Sequence, residues 1–210
     1  FDTKKPVEVL YNTNESEKIK KLSDEQVDDV DFSKDTINII SVAKIVPSKG
    51  YDRLMKIHKK LIEKNIKNHI YILGIGEEKE KYEKYLTENN LTDTFTFLGY
   101  RDNPYKYVKK ADLYVCSSRR EGFSTAVTEA LIVGTPVVST NCSGAYELLG
   151  ENNEYGIVTE NNEDALYEGI KKMLTTPNLF EAYAAKAKER GKAFSTEKTV
   201  KAVEEMLSAL

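Results

Sequence analysis

Short apolar, β-branched runs recur along the chain, and between them the apolar positions switch to helical spacing. The run "INIISVA" (37–43) is followed by a segment, 51–64, in which Leu54, Ile57, His58, Leu61 and Ile62 repeat at helical spacing. Strand patterns follow at "HIYILG" (69–74), "TFTFLG" (94–99), "DLYVCS" (112–117), "PVVST" (136–140) and "YGIVT" (155–159). Helical patterns fall between them at "EEKEKYEKYLTENN", "NPYKYVKKA", 125–133 and "GAYELLG", and three more close the chain at 162–175, 178–191 and 196–209. The beginning of the chain is different. "VEVLY" (7–11) reads as a strand, and the polar stretch after it, up to residue 35, lacks sustained amphipathic periodicity and reads as a linker.

Strands and helices alternating at this interval predict a parallel sheet covered on both faces, because each crossover lays a helix against the sheet. The expected fold is therefore α/β, a Rossmann-like parallel sheet with helices on both faces. Ligands in such sheets bind at the carboxyl ends of the strands, where the strand order reverses. That rule locates a site without naming its chemistry.

Composition narrows the partners. With 210 residues the chain is long enough for one good-sized core, and a net charge of −3 gives no electrostatic footprint for nucleic acid. No apolar run reaches the ~18 residues that a membrane span needs. Cys116 and Cys142 lack metal-ligand spacing and read as reduced, small apolar residues. His58 on an apolar helix face and His69 at a strand entrance read as structural, and no carboxylate–histidine cluster suggests a metal.

The unusual residues fall at the expected strand ends. After the first strand, "VAKIVPSKG" carries Lys44 and Lys49, two cations in one loop that suit a diphosphate or are simply solvated. After the second, "GIGEE" offers Gly74 and Gly76 for close backbone approach, but without the third glycine of a dinucleotide fingerprint. After the fourth comes "SSRREGFSTAVTEALIVGTPVV". Ser124 or Thr125 caps the helix there, and the free amides of a helix start make an anion site. Glu121 lies beside that start and Glu129 more than a turn inside the helix, where a carboxylate needs hydrogen-bond donors such as ribose hydroxyls. The eight-residue interval is not itself informative, since Glu80/Glu88, Glu160/Glu168 and Glu189/Glu197 repeat it.

Taken together, these stretches resemble the carboxyl-terminal half of glycosyltransferase family 4, retaining enzymes of the GT-B fold. The resemblance runs from about residue 7 to the end. It rests on the two glutamates of "EGFSTAVTEALIVGTPVV", the basic loop "VAKIVPSKG", the glycine turn "ILGIGEEKEKYEKYL", the strand end "FTFLGYRDN" and the helix start "SGAYELL". It implies that Glu121 bonds donor-sugar hydroxyls, with Lys49 and Lys44 neutralising the departing diphosphate without a divalent metal. Glu129 would hold the ribose, and Gly122, Phe123, Ser124, Thr125 and Ala126 would cradle sugar and diphosphate. Gly74 and Gly76 of the glycine turn would also bind the donor, and the backbone at Tyr100 and Arg101 would meet the base. The implied donor is a UDP-sugar, with GDP-sugar as the alternative, and no cofactor is required. The acceptor would be a glycan or lipid-linked sugar in bacterial surface polysaccharide synthesis, at the cytoplasmic side with peripheral membrane association at most.

The pattern departs from the family at two places. Ala43-Lys44 replaces the usual glycine-arginine pair, keeping charge but losing the bidentate fork. Ser124 stands where glycine is frequent, so no particular sugar carries over. The expected organisation is a linker with the end of a missing amino-terminal domain (1–35), a nucleotide-sugar-binding unit (36–192) and a helix crossing back to the missing half (193–210). The fragment is expected to bind nucleotide weakly and to transfer nothing alone. A non-catalytic Rossmann-like binding or regulatory module is the competing reading. An oxidoreductase is disfavoured because "KIVPSKG" follows the first strand where a glycine fingerprint belongs.

Overall fold

The structure, a computed structural model, describes residues 14–208; the strand expected at 7–11 lies outside them. Six strands form one parallel sheet in the order β3-β2-β1-β4-β5-β6. They are β1 (Ile37–Val42), β2 (Asn68–Leu73), β3 (Phe95–Gly99), β4 (Leu113–Cys116), β5 (Val137–Thr140) and β6 (Ile157–Thr159). The helices are α1 (Ser16–Ser23), α2 (Tyr51–Glu63), α3 (Lys79–Glu88), α4 (Tyr105–Lys110), α5 (Thr125–Val133), α6 (Ala145–Leu149), α7 (Glu163–Thr175), α8 (Leu179–Gly191) and α9 (Thr196–Ser208). Every strand and helix expected after residue 36 is present, with ends shifted by a residue or two.

The strands read as apolar runs rather than alternations because both faces are covered. Ile39 joins one core with Ile57, Ile70, Leu113 and Ile170, under α2 and α7. Its neighbour Ile40 joins the other, with Tyr114, Val127, Leu131 and Phe194, under α4 and α5. Helix α5 is apolar almost all round, burying Val127, Thr128, Ala130, Leu131, Ile132 and Val133. It packs against α1, α4 and α8, as an enclosed helix must.

The polar stretch expected to be a linker contains α1, seated on α4 and α5. Ser16, Ile19 and Ser23 form its buried face, and Phe32 beyond it packs on Tyr71 with ring centroids 4.7 Å apart. Helix α9 buries only Thr199 and exposes Val200 and Leu207. Its first residue, Thr196, donates from its hydroxyl to the Asn14 carbonyl at 2.5 Å, so the start of α9 meets the segment leading into α1.

Candidate functional site

The strand order reverses between β1 and β4, which pair at Ile39/Leu113 and Ile40/Tyr114. Their connections leave in opposite directions, and a cavity of about 340 Å³ opens between the two strand ends, within the usual size range of small-molecule sites. Its floor is Ser41, Tyr51, Tyr114, Cys116, Ser117 and Ser118. Its walls are Lys44 and Lys49 from the loop after β1, Glu121, Phe123 and Ser124 from the loop entering α5, and Thr125 and Ala126 from the first turn of α5. Seven residues singled out from the sequence therefore line one space: Lys44, Lys49, Glu121, Phe123, Ser124, Thr125 and Ala126.

The chemistry of that space favours an anion. Ser124 caps α5, its hydroxyl accepting from the Val127 amide at 3.5 Å and its carbonyl from the Thr128 amide at 3.0 Å. The amides of Thr125 and Ala126 open the helix and have no carbonyl one turn earlier to bond within it. No acidic side chain occupies the first turn of α5, so nothing there offsets the positive end of the helix dipole. Lys44 is exposed at the rim. Lys49 reaches across to Glu121, Nζ to Oε2 2.5 Å, and the Ser118 hydroxyl donates to the same oxygen at 3.1 Å. Two cations and one carboxylate thus line the cavity, with Lys49 paired to Glu121.

The remaining expected residues lie around this space rather than in its wall. Gly122 is on the wall loop, and a Cβ there would meet nothing within 4 Å. Glu129 stands one turn beyond Thr125 on the same face of α5. It is half-buried, and its Oε1 accepts from the Tyr105 hydroxyl at 3.3 Å. Burial holds its carboxyl above the usual carboxylate range, with the Tyr105 bond opposing, while burial and Glu129 push the Tyr105 phenol up to about 12.

Gly74 and Gly76 have a packing reason. A Cβ at Gly74, where φ is +149°, would overlap the Ala43 carbonyl, and one at Gly76 would overlap the Ile45 carbonyl. These glycines set the loop carrying Lys44 rather than lining the cavity. Tyr100 and Arg101 follow β3 at the sheet's outer edge. Tyr100 is 66% exposed, and Arg101 pairs with Asp29 at 3.1 Å and donates to the Tyr100 carbonyl.

Pattern reading missed the floor. Ser41, Tyr51 and Tyr114 are buried strand and helix residues whose types suit a core. Only the strand-end pair Ser117-Ser118, polar residues directly after an apolar run, carries a signal. The histidines occupy structural positions: His58 lies between Asn68 Oδ1 at 2.7 Å and Thr94 Oγ1 at 2.9 Å, and His69 bonds Thr96 at 2.8 Å. Both cysteines are free thiols, with Cys116 buried and Cys142 half-buried. Among the described residues no cluster of three or more His, Cys, Asp or Glu side chains could hold a metal ion, and no helix is long and apolar enough to cross a membrane.

Comparison with known proteins bears on this geometry. The family model described as glycosyl transferases group 1 matches residues 23–190. The chain is 35% identical over 192 residues to the N-acetylgalactosamine-N,N'-diacetylbacillosaminyl-diphospho-undecaprenol 4-alpha-N-acetylgalactosaminyltransferase of Campylobacter jejuni, covering 90% of this chain and 50% of the relative. Among solved structures, Anabaena HepE in complex with UDP superposes with a TM-score of 0.79 at 20% identity, over 97% of this chain and 57% of that one; at that identity the likeness is one of fold. A Staphylococcus aureus TarM variant in complex with fondaparinux, alpha-GlcNAc-glycerol and UDP gives a TM-score of 0.71 at 25% identity, over 83% of this chain and 36% of that one. The chain spans about half the length of the Campylobacter relative.

Proposed function

Because the chain belongs to the glycosyl transferases group 1, we propose that the cavity between β1 and β4 binds the nucleoside-diphosphate sugar donor of a retaining, family 4 glycosyltransferase. The observation that carries the reading is the convergence of Lys44, Lys49, Glu121 and the start of α5 on one cavity at the reversal of strand order. The diphosphate would lie against the α5 amides and the two lysines, and Glu121 would accept hydrogen bonds from sugar hydroxyls. Glu129 would turn to the ribose, giving its partly buried carboxylate the donors it needs beyond Tyr105. The base would lie toward Tyr100 and Arg101. Charge developing on the departing diphosphate would meet fixed dipoles and cations in a recessed site, a contribution worth several kcal/mol of barrier in comparable sites, on the order of 3 per well-placed donor.

In this reading residues 36–192 are the donor-binding unit of a longer enzyme. Residues 1–35 would lead from an acceptor-binding half, and α9 would return toward it. UDP is the favoured base carrier, since UDP occupies the TarM complex. The acceptor would be a glycan or lipid-linked sugar in bacterial surface polysaccharide synthesis, the lipid link being of the diphospho-undecaprenol kind by analogy with the Campylobacter relative. The enzyme would then work on the cytoplasmic side, peripheral to the membrane, and this chain alone would bind donor without transferring sugar.

The test is calorimetry against UDP, GDP, ADP and NAD, repeated on Lys49→Ala and Glu129→Ala. One nucleoside diphosphate should bind and both substitutions should weaken it. Binding of NAD alone would replace this reading with a dinucleotide-binding one.

A further inference from the structure

Four successive backbone carbonyls, those of Cys116, Ser117, Ser118 and Arg119, accept hydrogen bonds from side chains that arrive on other elements. The Thr140 hydroxyl donates to Cys116 at 3.3 Å and to Ser118 at 2.6 Å. The Cys142 thiol reaches Ser118 at 3.1 Å, and the Asn161 amide reaches Arg119 at 3.0 Å. The largest share comes from Arg53, on the first turn of α2. Its Nε donates to Ser117 at 2.8 Å, and its Nη2 to Ser117 at 2.5 Å and to Ser118 at 2.6 Å. Its Nη1 donates to Asn161 Oδ1 at 2.9 Å.

Arg53 is only 4% exposed and forms no ion pair among the described residues. Burial lowers its pKa from the ordinary arginine value, though a guanidinium stays charged under any physiological condition. A buried cation without a carboxylate costs several kcal/mol, and apolar residues of like volume frequently replace buried charges without loss of stability. Packing alone therefore does not account for this one. What its fork does is fix a strand-end turn, and the residues of that turn hold the two charged walls of the cavity. The Ser117 hydroxyl donates to the Lys49 carbonyl at 2.8 Å, and the Ser118 hydroxyl to Glu121 Oε2 at 3.1 Å. Gly50, between Lys49 and α2, admits the arrangement, since a Cβ there would overlap the Ser117 carbonyl and crowd Arg53 Nε.

We infer that Arg53 is a positioning residue of the donor site, with Thr140 and Asn161 in support: it sets the spacing between Lys49 and Glu121 without touching ligand. The inference rests on the donor-site reading above and goes beyond it. Arg53→Ala and Arg53→Lys should each bind UDP about tenfold more weakly than the unsubstituted chain, measured well below their unfolding midpoints. Millimolar guanidinium should restore most of the loss in Arg53→Ala and leave Lys49→Met unchanged. A residue that only stabilises the fold would lower the midpoint and leave the affinity of the folded protein alone. Should Arg53→Ala not fold, Thr140→Val and Asn161→Ala decide, each expected to weaken UDP roughly threefold, the size of one lost hydrogen bond. Wild-type affinity in the folded Arg53 variants, or in both supporting variants, would overturn the inference alone. Failure of the unsubstituted chain to bind UDP, GDP or ADP would overturn the donor-site reading and this inference with it.

Discussion

Lys49 Nζ lies 2.5 Å from Glu121 Oε2, across loops 72 residues apart in the chain. Both side chains are about one-fifth exposed, at 22% and 21%. Most ion pairs in the molecule lie at the surface, where such a pair is worth roughly 0–1 kcal/mol. This one stands inside the proposed donor cavity, where a diphosphate bound as proposed would compete with Glu121 for the same cation.

Lys49→Met should weaken UDP by about tenfold or more, while Glu121→Gln should tighten UDP by a few-fold, because it frees the lysine. The same Glu121→Gln change should reduce the preference for UDP-N-acetylglucosamine or UDP-glucose over UDP. Calorimetry with the three ligands checks both halves. Weaker UDP binding in Glu121→Gln would mean that the pair is not a competitor.

Glycine substitutions separate packing from binding. Gly76→Ala and Gly74→Ala place a Cβ on the carbonyls of Ile45 and Ala43 and should destabilise by about 1–3 kcal/mol, read as a lower urea midpoint. Gly122→Ala meets no protein atom within 4 Å. It should leave stability within about 0.5 kcal/mol, as an exposed site does, yet weaken a sugar donor if the sugar occupies that space. Unchanged donor affinity in Gly122→Ala would move the sugar away from the loop.

Glu129 sets stability against binding. Burial raises its proton affinity in the folded state, so its contribution is favourable below the unfolded carboxylate pKa and is lost as pH rises. Glu129→Gln should therefore raise the unfolding midpoint of the ligand-free chain at neutral pH. It should also weaken UDP by about tenfold, the scale of a hydrogen bond to a charged group, and abolish any advantage of UDP over 2′,3′-dideoxy-UDP. Equal binding of the two nucleotides by the unsubstituted chain would place the ribose elsewhere.

His58 supplies an acid-sensitive element remote from the cavity. Burial lowers its pKa from 6.5 to about 4, against the opposing hydrogen bond that its Nδ1 donates to Asn68 Oδ1. The unfolded chain then binds the extra proton first, so this stability is complete above pH 6.5 and falls as pH drops toward 4. The full loss is on the order of 3 kcal/mol. Urea unfolding of the parent and of His58→Gln at several pH values should show the steeper loss in the parent, the variant keeping the smaller slope that buried His69 and the paired Asp52 supply.

Element type and order were legible because both faces of the sheet are covered, which makes each strand a continuous apolar run. Helix α1 was not. Its buried face is Ser16, Ile19 and Ser23, a helical interval in which two of three positions are polar, so periodicity has nothing to register. The cavity's charged wall was legible through its position at the strand ends. Its floor and its brace were not, because Tyr114 and Arg53 act through contacts between elements distant in the chain, and Tyr51 through a buried bond to Ser41 on β1. Gly74 and Gly76 were visible as residues needing close backbone approach, but not what approaches them: the neighbouring loop.

The loops after β1 and β4 are joined at many points. The Arg119 amide donates to the Ser48 carbonyl at 2.7 Å, the Arg119 guanidinium grips Asp52 at 2.6 and 2.7 Å, and the Ser117 hydroxyl reaches Lys49. In the proposed donor site, segments 47–53 and 117–124 therefore form one exchangeable cassette. Grafting either segment from a relative without its counterpart would import half a joint, and swapping both together is the smallest transplant that preserves the seam.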